Sequence, residues 1–408
     1  VGKLIGDGIL SPSSASPWLR IESLTETLRA LVHINSVNPA YGGPEGGEAT
    51  VIATAAEFLA RAALTPETWE VHPGRPNLRV RLSGRDRRRF KLFETHVDTV
   101  SAAGMTIEPF KGDTRDGRLW GRGATDAKGQ AVAMLHGLVS LAKSGPPPPT
   151  DLEVVLSVDE EAGFTGVRSL VRRYEAEGAR PEVAIIGEPT DLRIVTAHKG
   201  TLRWWISVRG RAAHSSTPGS GVNAVHRAAV LVDWIEGPYA EQLAGRRHPL
   251  LGSPTVNVSK IEGGTQVNVV PDLARILLDR RLLPDESADS VRGEFEAIFR
   301  ALKARWADFE ALQEAPLLVD PSMETPLDHP WARRAAQLAA DLGRSPEPLG
   351  VPYGTDGSKL AEAGIPTLVV GPGSIRQAHT ADEYIDLSEL ASGARFYREL
   401  MLADLPPA

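Results

Sequence analysis

Apolar residues recur every three or four positions over 19–34 and again over 47–64, the period of helices with one buried face. NLRVRL (77–82) and RFKLFETHVD (89–98) then have the alternation and apolar content of strands. A helical pattern, GQAVAMLHGLVSLAKSG, follows over 129–145 and stops at the proline loop PPPPT. Beyond it lie a strand, LEVVLSVDEE (152–161), a helix, TGVRSLVRRYEAE (165–177), and a short apolar strand, VAIIGE (183–188). Alternation of this kind predicts an α/β fold with a mostly parallel mixed sheet flanked by helices on both faces.

The pattern changes near residue 200. TLRWWISVRGRAA (201–213) alternates like an antiparallel strand, a long helix is expected over 221–242, and PTVNVSKIEGG and DLARILLDRRLL read as two more strands before a helix over 286–308. The order β-α-β-β-α resembles a small ferredoxin-like α+β module. Because IPTLVVGPG (365–373) and its flanking helices resume the α/β alternation, the module reads as an insertion. The expected organisation is a first α/β part over 1–197, the inserted module over 198–312 and a second α/β part over 313–408.

Composition narrows the function classes. With 42% hydrophobic and 24% charged residues among 408, the chain has the make-up of an ordinary globular protein large enough for two or three domains. A net charge of −7 without a long basic run gives no reason to expect nucleic acid or an anionic membrane as partner, and points to small molecules. No apolar run approaches the roughly 18 residues of a membrane span, and the first residues, VGKLIGDGILSPSSASPW, do not read as a signal peptide. The absence of cysteine removes disulfides, thiolate metal sites and a cysteine nucleophile, and fits a cytoplasmic location. Any metal would fall to His, Asp and Glu.

Those residue types gather at the predicted strand ends. His96 and Asp98 lie in ETHVDTV, Glu160 and Glu161 in VVLSVDEE, Glu188 in VAIIGEPT, and His379 in RQAHTADEY just past the last strand. Asp126 sits between glycine-rich turns in LWGRGATDAKGQAVAML, where it either caps the helix beginning near Gly129 or presents its carboxylate to a site. Taken singly, His96 also suits a core histidine, Glu160 and Glu161 a helix cap or a solvated pair, Glu188 a turn and His379 a surface loop. In open α/β sheets, however, the carboxyl ends of strands line the ligand crevice. Carboxylates converging there need cations to offset their burial, which a pair of divalent metals sharing one bridging carboxylate would supply. Imidazole and carboxylate donors without thiolate suit zinc, cobalt or manganese. Asp98, two residues after His96, is placed to hold the second ring N–H of that histidine.

ETHVDTV, LWGRGATDAKG, SVDEEAGFTG, IIGEPT, RGRAAHSSTPGSGVNAV, NVVPDLARILLDRRLLP and AHTADEYI, taken in order from about residue 20 to 400, resemble the metallopeptidase M20 family. That family includes acetylornithine deacetylase, succinyl-diaminopimelate desuccinylase, aminoacylase and glutamate carboxypeptidase. The resemblance implies a zinc-exopeptidase-like α/β domain carrying a dimerisation module. It implies one metal on His96, Asp126 and Glu188 and a second on Asp126, Glu161 and His379, with Asp126 as bridge. Zinc is the first expectation, with cobalt or manganese as alternatives. Glu160 would be the general base and Asp98 the partner of His96. A cis peptide is expected after Asp126, where Ala127 replaces the larger residue more usual in the family.

The same resemblance implies that His214 crosses a homodimer interface to stabilise the oxyanion, and that Arg281 pairs with the substrate carboxylate, although the adjacent Arg280 is one position away. Lys199, Asn268, Thr355 and Gly373 are further matching positions expected to line the pocket. The reaction implied is hydrolysis of an N-acyl amino acid by a metal-activated water, with a dipeptidase, carboxypeptidase or N-carbamoyl amino acid hydrolase as alternatives. A catalytically silent scaffold would be expected to lack a ligand or the base, and all are present; an aminopeptidase domain without an insertion would leave residues 200–310 without a role.

Overall fold

The computed structural model describes residues 16–405. The chain divides into two compact units, the first comprising everything up to Ile194 together with Pro326–Pro348 and the segment from Ala363 onward, the second Val195–Thr325 with Leu349–Glu362.

In the first unit, the strand Asp86–His96 lies at the centre, parallel to Thr150–Ser157 on one side and Val183–Ile186 on the other. Thr367–Val369 continues the parallel set beyond Val183–Ile186. Arg75–Leu82 joins antiparallel to Thr150–Ser157, and Glu67–His72, a strand not anticipated in the sequence, forms the antiparallel edge. The sheet is therefore mixed with a parallel centre, and Thr150–Ser157 and Val183–Ile186 are buried along nearly their whole length, as parallel strands covered by helices are. The helix Lys128–Ser144 is buried through Leu141 and packs against Ile21–Val32 and Leu387–Leu402. Register brings strand ends level: His96 pairs with Ser157, and Glu94 with Ile186.

The strand expected over 152–161 stops at Ser157, and Val158–Glu161 form a turn with Asp159 at φ 67°. That residue is fastened from several sides: its N–H donates to Glu48 Oε1, its Oδ1 accepts from Asn38 and Arg75, and its carbonyl accepts from Gly163 and Phe164. A continued strand could not satisfy those groups.

The second unit carries a four-stranded antiparallel sheet in the order Thr255–Gly263, Leu273–Leu282, Gly200–Arg209, Glu310–Asp320. Glu310–Asp320, unread in the sequence, completes a β-α-β-β-α-β order and carries the unit past residue 312. The helix expected over 221–242 begins at Ala224, capped by the Asn223 side chain, and changes to a π segment over Ile235–Tyr239 before a last turn, Ala240–Ala244. Pro238 accounts for the break, since it has no N–H to continue the ladder. The helix expected over 286–308 is Ala288–Arg305, started by a capping box between Ser287 and Ser290. No helix among the described residues is long and apolar enough to cross a membrane.

His136, inside Lys128–Ser144, is held neutral: Nδ1 lies 2.6 Å from the Trp18 carbonyl, Nε2 lies 2.9 Å from the Thr27 hydroxyl, and Phe58 stacks on the ring. Burial lowers its pKa to about 4. The unfolded chain thus takes up this proton near pH 6.5 and the folded one only near 4, so the stability is complete above pH 6.5 and is lost as pH falls through about 4. The shift corresponds to about 3 kcal/mol over that window. Denaturant melts from pH 7 to 4 should show His136→Gln losing less stability on acidification than the wild type; parallel curves would overturn the assignment.

Candidate metal centre

The level strand ends deliver the first residues of the site. His96 closes its strand, Glu188 follows Val183–Ile186 by two residues, and Glu160 and Glu161 occupy the turn after Ser157. Asp126 arrives from a separate turn in which Gly121 has φ 154° and Gly123 φ 84°. A Cβ at Gly123 would also stand 2.9 Å from Lys128 Cδ, so both conformation and space call for glycine. The Asp126–Ala127 peptide is cis. A small sheet pairing Tyr384–Asp386 with Arg118–Trp120 holds the His379 loop beside this turn.

The resulting geometry is two-sided. Asp126 Oδ1 lies 3.1 Å from His96 Nε2, which is also 3.7 Å from Glu188 Oε1. The other oxygen, Oδ2, lies 3.3 Å from His379 Nε2, which is 3.2 Å from Glu161 Oε1. Donor atoms of His96, Asp126 and Glu161 all fall within 4.8 Å of one another. Each oxygen of one carboxylate therefore faces its own imidazole and its own second carboxylate.

Charge explains what this arrangement suits. Burial opposes a charge on His96, yet hydrogen bonding to Asp126 and Asp98 and the nearby Glu188 and Glu160 hold its pKa well above the usual imidazole value. Hydrogen bonds to Asp126 and Glu161 raise that of His379 to about 10. Burial acts against ionised Asp126 as well, but the two rings hold it below the ordinary carboxylate range. Burial, with Asp126 alongside, pushes Glu161 up. Asp126, Glu160 and Glu188 are buried, as is the Glu161 side chain, so even two imidazolium rings leave excess negative charge. Hard or borderline divalent cations fit both the donor set and this imbalance.

Asp98 plays a broader part than its sequence position suggests. His96 Nδ1 lies 3.0 Å from the Asp98 backbone carbonyl and 3.4 Å from its Oδ1, so the carbonyl is the nearer acceptor. The carboxylate also accepts the backbone N–H groups of Glu160 (3.0 Å) and Glu161 (3.1 Å) and the Asn38 amide (2.8 Å). It thereby sets the turn that carries both glutamates. Asn38 donates its other amide hydrogen to Asp159, where Arg75 and Glu48 complete a buried polar network. None of Asn38, Glu48, Arg75 or Asp159 stands out in the sequence; the only local signal is Asn38 before a proline at the start of a turn.

The other sequence-derived candidates are spread over both units. Gly373, at φ 81°, belongs to the first unit; a Cβ there would stand 3.0 Å from Thr125 Oγ1, in the turn that carries Asp126. In the second unit, His214 is exposed with Nδ1 2.7 Å from Ser216 Oγ, and the Asn268 carbonyl accepts from the neighbouring Ser215. Lys199 donates to the Ser253 carbonyl, while burial and the adjacent Arg280 and Arg281 lower its pKa. Thr355 is buried, its hydroxyl accepting from Gly357. Strand alternation separates the two arginines: Arg280 points inward, 0% exposed and held by Glu286 and Tyr239. Arg281 points outward, its side chain 30% exposed, hydrogen-bonded to Asp279 and Thr201.

Comparison with known proteins agrees with this architecture. The chain is 34% identical over 297 residues to an acetylornithine deacetylase of Myxococcus xanthus, covering 72% of this chain and 75% of that protein. Its fold matches aminopeptidase PepT of Bacillus cereus with a TM-score of 0.76 at 23% identity, covering 95% of this chain and 100% of the other. It also matches a dinuclear metal-binding M20 peptidase of Bacillus subtilis with a TM-score of 0.70 at 15% identity, covering 94% and 97% of the two chains. Residues 92–403 match the model of peptidase family M20/M25/M40. The chain belongs to that family, and is a hydrolase of amide or peptide bonds that uses divalent metal.

Proposed function

We propose that the protein removes the acyl group from an N-acyl amino acid, using two divalent ions per subunit, zinc in the first instance, in the centre around Asp126. The observation that carries this proposal is the two-sided placement of Asp126 between His96 and His379. One ion is assigned to His96, Asp126 and Glu188 and the other to Asp126, Glu161 and His379. When bound, the ions supply Lewis acidity to the scissile carbonyl and to a water molecule.

The remaining steps fall to the chain's own groups. Glu160 takes a proton from the attacking water as the new C–O bond forms, and returns it to the amine nitrogen as the C–N bond breaks. Asp98 keeps Glu160 and Glu161 in place through their backbone N–H groups. Arg281, whose planar fork suits a carboxylate, is assigned to the substrate's carboxylate, and Arg280 to the fold. His214, exposed on the second unit, is assigned to the oxyanion across a homodimer. Lys199, Asn268, Thr355 and Gly373 complete the proposed pocket, and a cytoplasmic location belongs to the same proposal.

The deacylase assignment is supported by sequence identity to acetylornithine deacetylase above 30% over most of the chain. Initial rates should be measured on N-acetylornithine, N-succinyl-diaminopimelate, other N-acyl amino acids, N-carbamoyl amino acids and dipeptides, before and after chelation and with zinc or cobalt restored. The expected result is metal-dependent cleavage with N-acyl amino acids foremost. A preference for dipeptides or carbamoyl substrates would replace the deacylase assignment, and rates indifferent to chelation would remove the metal centre.

A further inference from the structure

Beneath the centre lies a buried ion pair that the chemistry above does not use. Arg122 is 3% and Glu383 0% exposed, with Arg122 Nη1 2.7 Å from Glu383 Oε2. A further buried carboxylate so close to Asp126 would be costly if it served packing alone. The side-chain hydrogen bonds of the pair, however, reach the segments that carry assigned ligands.

Glu383 accepts the backbone N–H groups of Gly123 (3.1 Å), Thr125 (2.9 Å) and Asp126 (3.1 Å), so its side chain shapes the turn that aims Asp126. Its own carbonyl accepts from Gly121 at the start of that turn. The fork of Arg122 reaches the other two loops. Nε donates to the Ser101 carbonyl, five residues past His96, and Nη2 to the Thr380 carbonyl, next to His379.

We infer that the Arg122–Glu383 pair is a positioning device for the two-metal centre: it locks the His96, Asp126 and His379 segments to one another and so sets the separation of the two metal sites. The inference rests on the proposed ligand set. Glu383→Gln replaces one oxygen by an amide NH2, which faces the donors of Arg122 and Gly123 and opens the turn. Arg122→Lys keeps the positive charge but has no fork with which to reach Ser101 and Thr380 together.

The test is cobalt titration of the metal-free full-length protein, followed by the visible absorption of the bound ion, with circular dichroism and thermal melting of the metal-free form in parallel. Wild type should bind two ions; failure to do so would fail the two-metal reading itself. Given that, each variant should keep wild-type circular dichroism, lose affinity for at least one ion by about 10–100-fold and show an altered cobalt spectrum. Two ions bound with wild-type affinity and spectrum by a folded variant would overturn the inference while leaving the centre standing. Loss of fold in both variants would overturn it too, since the pair would then serve folding and not positioning.

Discussion

Replacing Glu160 by alanine should lower kcat by about 10²–10⁴-fold, the range for removing a general acid–base group, while metal content stays at the wild-type level. The separation of these two readouts follows from how the turn is built. The Glu160 backbone is tied to Asp98 through its N–H, and Asp98 is itself held by Asn38, so these bonds to the turn remain when the Glu160 side chain is removed. His96, Asp126 and Glu188 also keep one another's company without it. KM should move little, because the lost group acts on protons in flight and not on the bound substrate. Rates measured on the best substrate of the panel, beside metal analysis of the same preparation, check this. A variant with wild-type kcat would remove Glu160 as the base, and one that loses metal would make it a ligand.

Asp126→Asn should have the largest effect on the metal centre as a whole. The substitution is nearly isosteric and leaves the backbone N–H of residue 126 on Glu383, so the turn should persist. What disappears is the negative charge shared between the two sides, each of which faces a different imidazole. An amide oxygen can serve one side only, and the NH2 turned to the other repels a cation. Bound metal should fall from two ions to one or none, and activity with it, and the metal-free melting temperature should fall as well, because two imidazole rings lose the carboxylate they are paired with. Two ions retained at wild-type affinity would show that Asp126 does not bridge.

Much of the site is legible in the chain because strand ends and apolar periodicity are local properties. The apolar stretches RFKLFETHVD, LEVVLSVDEE and VAIIGE mark strands that the fold uses, and parallel pairing brings their carboxyl ends level whatever the turns do. That logic places His96, Glu160, Glu161 and Glu188. The helix over 165–177 is legible at both ends for a similar reason: its apolar positions repeat with helical period and Gly178 closes it at φ 62°. By contrast, the break at Ile235–Tyr239 requires weighing Pro238 against an apolar pattern that runs on regardless.

What the sequence determined by itself, then, was the alternation of strands and helices, the module that interrupts it and the chemistry available at the strand ends. Tertiary structure alone decided that Ser157 is the last residue of its strand, that Arg280 points inward and Arg281 outward in a sheet whose register only pairing sets, and that Asn38, Arg122 and Glu383 support the centre. These residues act across 60 positions from Asn38 to Asp98, 121 from Asn38 to Asp159 and 261 from Arg122 to Glu383. Propensity and periodicity report on neighbours within a few residues along the chain, whereas a buried carboxylate is stabilised by whichever donors the folded chain brings to it.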